Sequence, residues 1–146
     1  MTTSRIAFSS AARDVYRAID ALDASATFEP RLRELVRIRA SQINSCAFCV
    51  DMHSVGAQKA GEHDRRIFAL AAWRESPFFD ERERAALALT EAMTRLPEHG
   101  VPDEVYAVAA DAFSEVELGN LMGVIITINA WNRVGVATEL QPPALA

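Results

Sequence analysis

Long apolar runs are missing from this sequence: no stretch reaches the ~20 residues that a membrane-spanning helix needs. The opening residues, Met1 to Ser10, hold no apolar segment long enough for a secretory signal, and Asp14 soon follows. A cytoplasmic protein without membrane contact is therefore expected. Positive charge is not in excess. Fifteen Lys and Arg against 20 Asp and Glu give a net charge of −5, which leaves no electrostatic footprint for nucleic acid. Glycine and proline, six each, are too few for collagen-like or low-complexity classes. Cysteine is scarcer still, with only Cys46 and Cys49, whereas a disulfide-stapled secreted domain would need more of them, spread along the chain. What is present is ordinary for a globular protein. Of 146 residues, half are hydrophobic and 24% charged, enough for one domain with one core and too short for two.

The apolar residues recur at helical spacing rather than alternating, so the chain reads as all-α, a bundle of about six to seven helices. A first helix is expected over about residues 11–24. Pro30 suits the first turn of a second helix, which carries Leu32, Leu35, Val36, Ala40 and Ile43 on one side and its arginines mostly on the others. After a break at residues 41–45, Asn44 or Ser45 is placed to cap a third helix from about Cys46 to Ala60, with Gly61 just past its end. A short fourth helix takes up Asp64 to Trp73. The fifth starts near Asp80, buries Ala86, Leu89, Met93 and Leu96, and stops at Pro97. Pro102-Asp103-Glu104 opens a sixth, ending near Phe113. Ser114-Glu115-Val116-Glu117 is a capping box that starts a last, long helix. That helix is apolar nearly all round, so it calls for cover on every side, as a central core helix or at a subunit interface. A homo-oligomer is expected on this ground. No repeat or linker appears, and the whole of 1–146 reads as a single domain with its core at about 15–138.

Cys46-Ala47-Phe48-Cys49 is the feature with chemical content. At a helix N-terminus, the partial positive charge favours thiolate over thiol. Cys46, Cys49 and His53 follow one another at three- and four-residue steps and so share a face. His53 is placed to take the proton of Cys49, which makes Cys49 the expected low-pKa nucleophile and Cys46 a second thiol able to resolve it. A thioredoxin-like setting would need a strand before the motif, and the residues there read as helix and turn. Structural zinc would need two more ligands, and neither His63 nor His99 sits in a second Cys/His pair. Two buried cysteines acting as small hydrophobes are the plainest alternative. Glu34, with Arg31 and Arg37 three residues away on either side, is explained by a surface ion pair as readily as by catalysis. Met52 reads as core, and Trp131-Asn132-Arg133 as packing, capping or site lining.

The run Glu34-Leu35-Val36-Arg37-Ile38-Arg39-Ala40-Ser41-Gln42-Ile43-Asn44-Ser45-Cys46-Ala47-Phe48-Cys49-Val50-Asp51-Met52-His53 resembles the signature of the AhpD-like proteins, the alkylhydroperoxidase branch of the carboxymuconolactone decarboxylase family. The pattern is a glutamate twelve residues before a CxxC and a histidine four residues after it. Leu70-Ala71-Ala72-Trp73-Arg74, Glu83-Arg84-Ala85-Ala86-Leu87 and Ile128-Asn129-Ala130-Trp131-Asn132-Arg133 extend the resemblance to roughly residues 15–138. It implies an all-helical fold assembling into homo-oligomers, often trimers or hexamers, and CxxC-dependent reduction of hydroperoxides in antioxidant defence. It also implies a role for each site residue: Cys49 as the attacking thiolate, Cys46 as the resolving thiol, Glu34 and His53 as the proton relay. The implied partners are a small hydroperoxide and an external dithiol reductant, with no metal or other cofactor. In one place this chain departs from the best-characterised members, which carry a histidine just before the distal cysteine where Phe48 stands here. The decarboxylase branch, a lyase acting on a lactone acid, needs no CxxC. A non-catalytic, redox-sensing helical scaffold is the third reading.

Overall fold

A computed structural model describes residues 4–145. Eight α-helices and one 3-10 turn, and no strand, occur among them: α1 (Phe8–Ala11), α2 (Arg13–Ser25), α3 (Pro30–Ile43), α4 (Ala47–Lys59), α5 (Asp64–Ala69) running into the turn Leu70–Ala72, α6 (Glu81–Arg95), α7 (Asp103–Ala112) and α8 (Glu115–Ala137). The expected helices are all there. The addition is α1, a single turn set off from α2 by the non-helical backbone of Ala12. No helix among the described residues is long and apolar enough to cross a membrane.

Local chemistry accounts for most boundaries. Pro30 opens α3, and the Glu29 carboxylate accepts from the N–H groups of Arg31 and Leu32, which no helical carbonyl reaches. Reciprocal capping boxes start α6 at Asp80–Glu83 and α8 at Ser114–Glu117. Gly61, at φ +85°, takes the left-handed position after α4. Two expectations fail. Leu96 is not buried on α6: it is itself the left-handed cap, 65% exposed, because the chain reverses there toward Pro97. Neither Asn44 nor Ser45 caps α4. Cys46 holds that position without a side-chain bond, and the Asn44 amide instead donates to Asn129 and Asn132 of α8.

The central element is α3, not α8. Eight of its residues are buried, among them Leu35, Val36 and Ile38 with no exposure. It touches α4, α6 and α8. Leu32 and Val36 pack with α6, α7 and α8; Leu35 and Ile38 pack with Ala57, Leu70, Trp73 and Leu87; Ala40 packs with the cysteines and Ile128. The arginines of α3 do not all stay outside. Arg37 is buried, and Arg39 reaches Glu91 of α6. Burial would raise the Glu91 carboxyl, but Arg74, the Trp73 indole N–H and Arg39 pull it down to about 2. The cover expected around α8 is incomplete in a single chain, for Val116, Ile126 and Val136 stay exposed.

Candidate functional site

Helix α4 builds the site. Cys49, His53 and Ala57 follow at four-residue intervals and form its buried face, with Cys46 at the cap. Helix α3 brings Glu34 to the same place. Its Oε2 lies 2.8 Å from His53 Nδ1, and its Oε1 accepts from Arg37 at 2.8 Å. Arg37 in turn donates to Asp23 of α2 at 2.7 Å. The ion-pair reading of Glu34 is thus half right. A pair exists, but it is buried and formed with Arg37, whereas Arg31 turns to Glu29. Burial would raise the Glu34 carboxyl. The hydrogen bond from His53 and the attraction of His53 and Arg37 outweigh that and hold it below its ordinary range. A carboxylate on Nδ1 fixes the imidazole tautomer and leaves Nε2 as the proton acceptor.

Both cysteines are free thiols, 2% and 3% exposed. The expectation of a low-pKa Cys49 does not hold in this state. Burial pushes its thiol up and the neighbouring Cys46 adds to that, against a hydrogen bond from Asn132, to about 12. The helix N-terminus acts on a sulfur that has lost its water, and desolvation wins. A proton must therefore leave Cys49 as it reacts.

Cys49 and His53 line one cavity of about 470 Å³ between α2, α4 and the end of α8. Its walls are mostly apolar, with Phe8, Tyr16, Phe48, Met52, Trp131 and Val134 among them, and the Tyr16 and Trp131 rings meet edge-on at 5.1 Å. Met52 is therefore a wall residue, 45% exposed, rather than core. Phe48 supplies an apolar surface there.

Two contributors escaped sequence reasoning, and a third, Asn132, entered it only within a run read as packing, capping or site lining. Asn132, 1% exposed, donates to Ser41 and accepts from Asn44, and from that anchored position acts on Cys49. Its residue type beside Trp131 was visible, but not its direction. The others are glycines. A Cβ at Gly135 would lie 2.8 Å from the Cys46 sulfur and 3.7 Å from that of Cys49. One at Gly56 would lie 2.8 Å from Glu34 Oε2. These two positions let the thiols sit against α8 and the carboxylate against α4. Gly135→Ala and Gly56→Ala are each expected to cost about 1–3 kcal/mol in denaturant unfolding. Gly135→Ala should also slow formation of the Cys46–Cys49 disulfide, which Gly56→Ala should leave closer to normal.

A carboxymuconolactone decarboxylase family model matches residues 11–92, more than half of the chain. The chain belongs to the carboxymuconolactone decarboxylase family. Within that family it is 46% identical over 105 residues to the uncharacterized protein YdfG of Bacillus subtilis, covering 72% of this chain and 71% of YdfG. A protein of unknown function from Agrobacterium tumefaciens, for which an AhpD antioxidant defence role has been suggested, superimposes with a TM-score of 0.92. It is 36% identical, and the match covers 98% of this chain and all of that one. An uncharacterized peroxidase-related protein from Silicibacter sp. TM1040 shares the fold at a TM-score of 0.77 and 23% identity, over 88% of this chain and 70% of that one. The all-helical AhpD-like fold is thereby established.

Proposed function

We propose that this family member is a thiol-dependent peroxidase that reduces small organic hydroperoxides through the Cys46–Cys49 pair. The observation that carries the reading is the convergence of Cys49 and His53 on one apolar cavity, with Glu34 bonded behind the imidazole. As the Cys49 sulfur attacks the terminal peroxide oxygen, its proton passes to His53 Nε2. The O–O bond breaks, and the leaving alkoxide takes that proton to depart as alcohol. Cys49 is left as sulfenic acid. The Cys46 thiol then attacks Cys49, a disulfide forms and water leaves. An external dithiol restores both thiols by exchange and is itself oxidised. The apolar walls favour an alkyl or aryl hydroperoxide over hydrogen peroxide.

The resemblance to homo-oligomeric proteins extends the reading. Val116, Ile126 and Val136 give α8 an exposed apolar face that a second copy would cover. Light scattering should therefore give a mass well above the 16.0 kDa of one chain. The redox-sensing reading draws on the raised Cys49 pKa, which predicts slow oxidation. Multiple turnovers separate the two. With excess dithiothreitol, the protein should consume many equivalents of cumene hydroperoxide per chain and release the alcohol. One equivalent followed by arrest would leave a sensor, and loss of muconolactone absorbance without thiol oxidation would leave a lyase.

A further inference from the structure

The cavity beside Cys49 has a one-sided charge distribution. Two carboxylates, Asp20 and Asp23, line it, and no lysine or arginine does among the described residues. Arg37, bonded to the lining Asp23, and Arg5, next in sequence to the lining Ile6, are both engaged. Arg37 is 8% exposed and bonded to Asp23 and Glu34; Arg5 is bonded to the Ala137 carbonyl and Glu139. Asp23 accepts from Arg37 at 2.7 Å and from the Thr127 hydroxyl at 3.1 Å, both through Oδ1. Its Oδ2 takes no hydrogen bond among the described residues, and Asp20 enters no ion pair. The polar end of a largely apolar cavity is thus built from groups that, when ionised, only accept hydrogen bonds.

From this we infer that the cavity selects ligands with an apolar body and a hydrogen-bond-donating head, an alcohol or amine, neutral or cationic, and that it rejects carboxylates. A donor head would satisfy Asp23 Oδ2 or Asp20 while the body packs on Tyr16, Phe48 and Trp131. A carboxylate would enter a largely apolar space lined by no lysine or arginine among the described residues, with Asp20 and the Arg37-paired Asp23 facing it and His53, already bonded to Glu34, as the lining group able to take a positive charge. The hydroxyls of Ser9 and Tyr16 lend it hydrogen bonds but no neutralising charge. The inference narrows the substrate of the proposed reaction, since it concerns the same cavity. Among hydroperoxides it favours those bearing a second hydroxyl or an amine over those of free fatty acids.

Equilibrium binding tests it apart from catalysis. In the Cys49→Ser variant, which keeps the cavity and cannot turn over, calorimetry would compare 3-phenylpropanol, 3-phenylpropylamine and 3-phenylpropanoate. The alcohol and the amine are expected to bind at least about tenfold tighter than the carboxylate. Asp20→Asn and Asp23→Asn should each shrink that ratio, and Asp20→Lys, at an exposed position, should shrink or invert it. Equal binding of all three probes, tighter binding of the carboxylate, no binding to the folded variant, or a ratio untouched by all three substitutions would overturn the assignment. Selective binding by this variant together with an inert wild-type enzyme would instead discard the peroxidase reading and leave this one standing.

Discussion

Cys49→Ser is expected to lower steady-state peroxide consumption by about 10³-fold or more, and Cys46→Ser to leave a single oxidation. The asymmetry comes from the cavity. Cys49 lines it beside His53, whereas the Cys46 sulfur packs against Gly135 of α8. Without added thiol, the wild-type chain should consume one equivalent of cumene hydroperoxide and lose both free thiols. Cys46→Ser should also consume one equivalent, but stop at a sulfenic acid that dimedone traps on Cys49, since no thiol is adjacent to displace it. Cys49→Ser should react no faster than a buried, unassisted thiol. Mass spectrometry of the intact chain distinguishes the three products: a loss of two hydrogens, a dimedone adduct, and no change. Oxidation of Cys46 in the Cys49→Ser variant at the wild-type rate would reverse the assigned roles.

Much of this site was legible because it is local. Cys46, Cys49 and His53 lie within eight residues, and helical periodicity alone puts them on one face, where the structure has them. Glu34 sits on another helix, and only the family resemblance brought it to His53, which it meets at 2.8 Å. The rest depends on distance in sequence. That Arg37 is buried, bridging Asp23 and Glu34, follows from α3 lying at the centre of the bundle. Its four arginines had suggested an outer face. Asn132 and Gly135 reach the thiols from a helix more than 80 residues away, and nothing in their spacing marks which face of α8 meets α4. Leu96 and Met52 were misjudged for one reason: helical spacing identifies an apolar stripe but not where the stripe ends in a turn or opens on a cavity. The protonation of Cys49 illustrates this most clearly. A helix N-terminus can be read from sequence, whereas the desolvation that overrides it belongs to the packed state.

That desolvation sets the sign of the pH dependence and gives His53 its task. With the thiol pushed up to about 12, the thiolate fraction at pH 7 is about 10⁻⁵. Alkylation of Cys49 by iodoacetamide should therefore be slow at pH 7 and rise about tenfold per pH unit through pH 10 without a plateau, as long as thiolate is the reacting species. Peroxide reduction should not follow that slope. With His53 taking the proton during attack, kcat/KM no longer tracks the thiolate fraction and stays close to level with pH. His53→Ala should then lower kcat/KM at pH 7 by about 10²–10⁴-fold and convert the level profile into the steep one seen in alkylation. Added imidazole should restore part of the rate in the space the side chain vacates, which a merely structural role for His53 would not produce. Glu34→Gln should act in the same direction with a smaller loss, because an amide still bonds Nδ1 but no longer stabilises the imidazolium that forms. The comparison is stopped-flow kcat/KM against pH for wild type, His53→Ala and Glu34→Gln, beside alkylation rates for the same chains. A wild-type peroxidase profile as steep as its alkylation profile, or a His53→Ala variant that keeps the wild-type level region, would remove the imidazole from the proton path.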